Sequence, residues 1–246
     1  MDILTSKNAG ILTIEFNRPD KKNAITAAMY QRMADALQDA ETDRAVRAIL
    51  FTGKPAIFTA GNDLSDFMAN PPSTETSPVF QFLRQLSHAS KPVVAAVSGA
   101  AVGIGTTMLM HCDHVVAGTD ARFSTPFVNL GLVPEAASSL LAPRLMGHRR
   151  AFELLVMGRP FDSAAAQACG LVNAVVAPGE VDTEAMKAAR EIAALPAEAL
   201  AIARRLMRPA PDDIVARIDQ EARLFRERLQ SAEARSAFEA FMTRKR

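Results

Sequence analysis

The sequence is poor in cysteine, nearly neutral and without a long uninterrupted apolar run, and each absence removes a class of protein. Only Cys112 and Cys169 occur in 246 residues, which suits a reducing compartment better than a disulfide scaffold. The formal net charge is +1 and the basic residues are not gathered in one block, so no nucleic-acid partner is expected. Residues 1–10 are polar and mixed and lack the apolar stretch of a secretory signal. Residues 93–110 come near the ~20 residues a membrane span needs. Ser98, Thr106 and Thr107 interrupt them, however, and Gly99, Gly103 and Gly105 fall together in their middle. A buried strand, a glycine turn and a buried helix explain that run better, so no membrane association is expected. What remains is 49% apolar and 22% charged residues, the balance of a globular protein with a sizeable core.

The pattern along the chain alternates. Residues 11–16, 45–52, 92–97, 113–117 and 171–176 are short apolar runs of strand character. Between them, Met29, Met33, Ala36, Leu37 and Ala40 recur at helical spacing behind a capping Thr26. Residues 70–78 are rich in Pro, Ser and Thr and predict a loop. Helices are predicted over residues 136–146, 149–157 and 163–169. From Thr183 onward only helix signals appear, broken at Pro196 and at Pro209-Ala210-Pro211. In the last segment Ile214, Ile218, Ala222, Phe225 and Leu229 share one face, with Arg and Glu opposite. Strands alternating with helices predict an α/β core, here residues 1–185. Residues 186–246 then form a C-terminal helical subdomain.

Three segments can carry chemistry. In the first, the glycines of Gly99-Ala100-Ala101-Val102-Gly103-Ile104-Gly105 let a ligand approach the backbone, and a helix start offers free N–H groups. A dinucleotide fingerprint is not met, because the third glycine position holds Met108. Tight strand–helix packing remains the plain alternative. In the second, Ala60-Gly61-Asn62-Asp63-Leu64, Gly61-Asn62 is a turn signal and Asp63 a candidate helix cap. In the third, Glu135 stands in the apolar stretch around Gly131-Leu132-Val133-Pro134. It reads either as a first-turn acid favoured by the helix dipole or as a carboxylate base. His111-Cys112-Asp113-His114 packs four possible ligands together, but it spans a helix end and a strand start with no further histidine cluster, so no metal is expected. No Gly-x-Ser-x-Gly nucleophile motif occurs.

Taken in order, these segments resemble the enoyl-CoA hydratase/isomerase (crotonase) superfamily. The resemblance runs from Asn17-Arg18-Pro19 and Asn23-Ala24 through Phe58–Leu64 and on through residues 91–99 to Cys112-Asp113. Beyond these it takes in Phe123, residues 131–134 and Ala168-Cys169-Gly170-Leu171-Val172. It implies a crotonase-like (ClpP/crotonase) spiral of ββα units with a C-terminal helical trimerisation region, hence a homotrimer or a dimer of trimers. It implies a coenzyme A thioester as substrate and no permanently bound cofactor. The backbone N–H groups of Asn62 and Ile104 would hold the thioester oxygen. Substrate would lie against Ala60, Gly61, Asn62, Asp63, Leu64, Gly103, Ile104, Phe127, Leu130 and Pro134.

Departures from the family pattern narrow the reaction. Family hydratases use two glutamates, and their places here hold Thr107 and Phe127. The acid appears one loop later, at Glu135, as in the peroxisomal-type 3,2-enoyl-CoA isomerases that these segments resemble most. Isomerisation with Glu135 moving the proton is therefore expected. Hydration with a rearranged water, another acyl-CoA reaction and a non-catalytic acyl-CoA-binding protein are the alternatives. The C-terminal Arg244-Lys245-Arg246 is not a peroxisomal tripeptide of the Ser-Lys-Leu kind, and a cytoplasmic location is expected.

Overall fold

Strands that are apolar at every position need cover on both faces, and this requirement organises the molecule. The computed structural model describes residues 1–54 and 57–244. The chain starts with a hairpin, β1 (Ile3–Asn8) and β2 (Ile11–Phe16), and passes through α1 (Ala27–Thr42) to β3 (Ala48–Gly53). Helices α2 (Leu64–Ala69) and α3 (Pro78–His88) lead to β4 (Val93–Val97), β5 (Ala100–Val102) and the single-turn α4 (Ile104–Thr107). β6 (His114–Gly118) and β7 (Arg122–Ser124) precede the long α5 (Ser138–Leu155). β8 (Phe161–Asp162), α6 (Ser163–Ala168) and β9 (Ala174–Val176) complete the sheets. Four helices follow: α7 (Val181–Ala193), α8 (Ala197–Met207), α9 (Pro211–Leu229) and α10 (Ala232–Arg244).

The main sheet has the order β1-β2-β3-β4-β6-β9, and only its β1–β2 pair is antiparallel. Every residue of β3 and β4 is buried. Ile49, Phe51, Val93, Ala95 and Val97 pack with Met33 and Leu37 of α1 and Phe82 and Leu86 of α3. The alternate residues Leu50, Val94 and Ala96 pack on Val181, Ala185 and Ala189 of α7. Each such fully buried Leu, Val or Phe contributes about 1.5–3 kcal/mol of apolar transfer energy. A second sheet, β5-β7-β8, stands at the far end of β4. The mixed α/β architecture with a closing run of helices is the one the resemblance implies.

Several expectations need correction. β1 was not foreseen, because it is an edge strand with only Ile3 buried, so its sequence shows no apolar alternation. The strand predicted over residues 171–176 is confined to Ala174–Val176. The helix predicted from residue 136 starts at Ser138, since Ala136 and Ala137 adopt left-handed φ of 60° and 54°. Gly147 (φ 76°) breaks α5 between the two helices predicted there. The expected boundary after residue 185 falls inside α7, whose buried side chains lie on the main sheet. The apolar face of α9 is covered within the chain: Ile214, Ile218, Ala222 and Phe225 are all buried. On α8, by contrast, Ile202, Leu206 and Met207 are exposed, Leu206 and Met207 most of all. Lys245 and Arg246 lie outside the described residues. Among the described residues no helix is long and apolar enough to cross a membrane.

Candidate active site

Two loops at the C-terminal ends of parallel strands meet here, the usual place for a ligand in an open α/β sheet. The loop after β3 is pinned to β5: Thr59 N–H donates to Ala100 O at 3.0 Å and Val102 N–H to Thr59 O at 3.0 Å. The Thr59 hydroxyl donates to Asn23 O at 2.6 Å and accepts from Gly61 N–H at 3.1 Å. Gly61 has φ of +83°, and a Cβ there would stand 2.7 Å from Val102 O. Only glycine lets the two loops come this close.

The backbone directions follow from the hydrogen bonds. Ile25 N–H donates to Gly61 O (2.8 Å) and Asp63 N–H to Ile25 O (2.9 Å), so the intervening Asn62 N–H points the opposite way. Ile104 opens α4 behind Gly103, where a helix leaves its first N–H groups without internal acceptors. Neither the Asn62 nor the Ile104 N–H has a backbone acceptor among the described residues. Asp63 caps α2 through Ser65 N–H and Asp66 N–H, as expected, and forms an ion pair with Arg18 at 2.7 Å. Burial works against its carboxylate, but Arg18 and the helix N–H groups outweigh it and hold the pKa below the ordinary value.

A cleft of about 360 Å³ opens beside these groups. Ala60, Gly61, Asn62, Asp63 and Leu64 line one part of it. Gly103, Ile104, Phe127 and Leu130 line another. Pro134 is half-buried outside this lining. Lys21 and Lys22, which sequence reasoning did not select, also border the cleft.

Glu135 stands apart from the cleft, in a crevice of about 10 Å³. Phe67 and Phe225 line both spaces and form the partition between them, their rings edge to face at 6.0 Å. Glu135 precedes the helix by a left-handed turn and so is not a first-turn acid. Its side chain is buried, 9% exposed. Burial, and next the nearby Glu221, push its pKa up to about 8, against a weak opposing hydrogen bond from the Thr107 hydroxyl at 3.4 Å. The apolar surroundings are Val79, Phe80 and Leu83 of α3 and Ile218 and Phe225 of α9. Phe127, Leu130 and Val133, the apolar residues that shortly precede Glu135 in the chain, pack instead in the cluster with Leu132 and Phe225.

Tyr30 and Glu221 are the residues that sequence reasoning missed. The Tyr30 hydroxyl donates to Asn62 Oδ1 at 2.5 Å. Burial and then the Glu135 charge raise its pKa well above the ordinary value. Glu221 is 5% exposed, although α9 was read with its Arg and Glu turned away from the apolar face. Spacing offered a signal: Glu221 follows Ile218 by three and precedes Phe225 by four, which puts it on the buried stripe. The His111–His114 run is spent on structure. His111 donates from Nε2 to Ala136 O at 2.7 Å, and Asp113 pairs with Arg204. Cys112 and Cys169 are not joined. Among the described residues no group of three or more His, Cys, Asp or Glu side chains is placed to share a metal.

Comparison with known proteins shows the family. Residues 6–246 match the family described as enoyl-CoA hydratase/isomerase. The chain is 37% identical over 250 residues to rat "enoyl-CoA delta isomerase 2", covering 99% of this chain and 64% of the rat protein. It thus spans less than two thirds of that relative's length. A Pseudoalteromonas atlantica structure described as an enoyl-CoA hydratase/isomerase superposes with TM-score 0.95 at 38% identity, covering 99% of this chain and 98% of that one. Pseudomonas aeruginosa OdaA superposes with TM-score 0.94 at 48% identity, covering 98% of each chain. The chain belongs to the enoyl-CoA hydratase/isomerase family, the crotonase fold.

Proposed function

We propose that the protein is a 3,2-enoyl-CoA isomerase in which Glu135 carries one proton from C2 to C4 of the acyl group. The carrying observation is Glu135: a buried carboxyl in a crevice of about 10 Å³, beside Thr107 where family hydratases place a glutamate. A space of that size is at the lower limit for one water molecule. Hydration needs a water held and activated; double-bond migration needs none.

The thioester oxygen lies between the Asn62 and Ile104 N–H groups, which are most valuable once negative charge develops there. One such preorganised donor is worth about 2.7–4 kcal/mol. Glu135 accepts the C2 proton as the C2–H electrons form the enolate. The C3–C4 double bond becomes C2–C3 when C4 takes the proton back. A raised carboxyl pKa suits both halves, since the acid formed is neither too strong to make by taking the C2 proton nor too weak to return it to C4. In this reading Phe67 turns aside only as the acyl chain enters from the cleft, so that the chain and not water fills the space beside Glu135. Lys21 and Lys22 offer cations to the phosphates of coenzyme A. The substrate supplies all the chemistry that a bound cofactor would otherwise bring. Ile202, Leu206 and Met207, all exposed on α8, support a homotrimer or a dimer of trimers.

Conversion of 3-enoyl-CoA to 2-trans-enoyl-CoA tests the reading. Glu135→Gln is expected to lower kcat by about 10²–10⁴-fold, the usual worth of a proton-transfer group. Equal rates in the two proteins would remove Glu135 from the mechanism. Production of 3-hydroxyacyl-CoA from 2-trans-enoyl-CoA at a higher rate than isomerisation would favour the hydratase reading instead.

A further inference from the structure

The turn that carries Glu135 is strained and held from outside. Ala136 and Ala137 follow each other in left-handed conformation, with φ of 60° and 54°, a region that a residue with a Cβ adopts only at a cost. Two buried side chains restrain the turn. His111 donates to Ala136 O at 2.7 Å. Glu221, reaching in from α9, accepts Ala137 N–H at 2.6 Å on one oxygen. Its other oxygen accepts Ser139 N–H at 3.0 Å and the Ser139 hydroxyl at 2.5 Å. Arg217 donates to the same hydroxyl at 3.0 Å. Glu221 also borders the crevice that holds the Glu135 carboxyl.

We propose that Glu221 is the positioning residue of the site: it clamps the Ala136–Ala137–Ser138 turn from the C-terminal helical region and places a second carboxyl in the dry crevice beside Glu135. This deepens the isomerase reading and rests on it for its catalytic meaning. The two tasks follow from one side chain. Three donors keep Glu221 at the start of α5, where a carboxylate also suits the helix dipole. Its charge then makes ionisation of Glu135 harder, as any like charge sharing a buried site does.

The groups facing this pair are few. Tyr30 approaches from α1 and stays neutral, since burial and Glu135 both raise its pKa. Thr107 of α4 gives Glu135 one long hydrogen bond. His111 is buried, which lowers its pKa to about 4, so it is neutral over the working range. From α9, Arg217 is the cation nearest the pair through Ser139. α3 contributes apolar side chains only. Burial raises the pKa of Glu221 itself to about 7, against the Ser139 and Ala137 donors and Arg217. The two carboxyls therefore titrate as a pair rather than singly.

The test follows the carboxyl carbons of the full-length protein by ¹³C NMR, with Glu135→Gln and Glu221→Gln supplying the assignments. In the wild type, each of the two resonances should report two titration steps. In Glu221→Gln the Glu135 midpoint should fall by about one pH unit, the effect of losing a like charge in a buried site. The rising limb of kcat against pH should move down with it. A Glu135 resonance with a single step in the wild type, or one unmoved in Glu221→Gln, overturns the proposal. The wild-type measurement decides even if the variant does not fold. Neither titration uses turnover. A coupled titration in a protein that does not isomerise 3-enoyl-CoA therefore sinks the isomerase reading alone.

Discussion

The Thr107 hydroxyl reaches Glu135 Oε1 at 3.4 Å, so the position that the resemblance equates with a hydratase glutamate touches the acid of this chain. The contact is long, and a bond of that length to a buried carboxylate is weak. It nevertheless favours the ionised form of Glu135. Thr107→Val keeps the shape and removes the donor. The Glu135 pKa should rise above its value of about 8, and the rising limb of the kcat–pH profile should move to higher pH. A profile that moves down would contradict the assigned contact.

Gly61 links the loop geometry to the proposed oxyanion donors. In Gly61→Ala the new methyl meets Val102 O at 2.7 Å while φ stays at +83°, so the two loops must part. Parting them moves the Asn62 N–H away from its partner donor at Ile104. Loss of one donor costs about 10²–10³-fold in kcat. Steady-state kinetics should show this fall in kcat rather than a rise in KM alone.

Glu135 also makes stability depend on pH. Its folded pKa of about 8 lies above the 4.5 of an ordinary glutamate, so the folded state holds the proton more tightly than the unfolded chain. Its contribution is fully favourable below about pH 4.5 and is lost as pH rises through about 8. Glu135→Gln cannot lose that proton. Thermal melts should therefore show its Tm advantage over wild type growing from pH 5 to pH 9. A constant difference would mean that Glu135 is not buried in this way.

Phe67 stands between the cleft and the Glu135 crevice. Phe67→Ala opens that partition and admits water. Isomerisation in deuterated water should then place more deuterium at C4 than the wild type does, because the shuttled proton exchanges before its return. Equal incorporation in both proteins would show that Phe67 does not keep water from Glu135.

Much of this was legible from short-range pattern. The central strands read as apolar runs because both faces of a parallel sheet are covered, and Thr26 and Asp63 read as caps because each side chain bonds nearby N–H groups. The glycine loops stood out because backbone that approaches closely must shed its Cβ, while Asn62 and Ile104 within them were singled out by the family resemblance alone. Edge strand β1 did not, since one buried residue in six leaves no period to read.

The sequence by itself determined the family, two glycine-bearing loops and the presence of a single acid, Glu135, in the apolar stretch after the second of them. Only the tertiary structure decided the environment of that acid. Glu221 lies 86 residues away along the chain, the difference between positions 221 and 135, and Tyr30, Phe67 and His111 come from three other segments. Helical spacing can put Glu221 on a buried stripe, but it cannot say what that stripe meets. The pairing of two carboxyls, the left-handed alanine turn that Glu221 and His111 hold and the partition at Phe67 arise from packing α9 against its neighbours. Ionisation depends on distance and dielectric in space rather than on order along the chain.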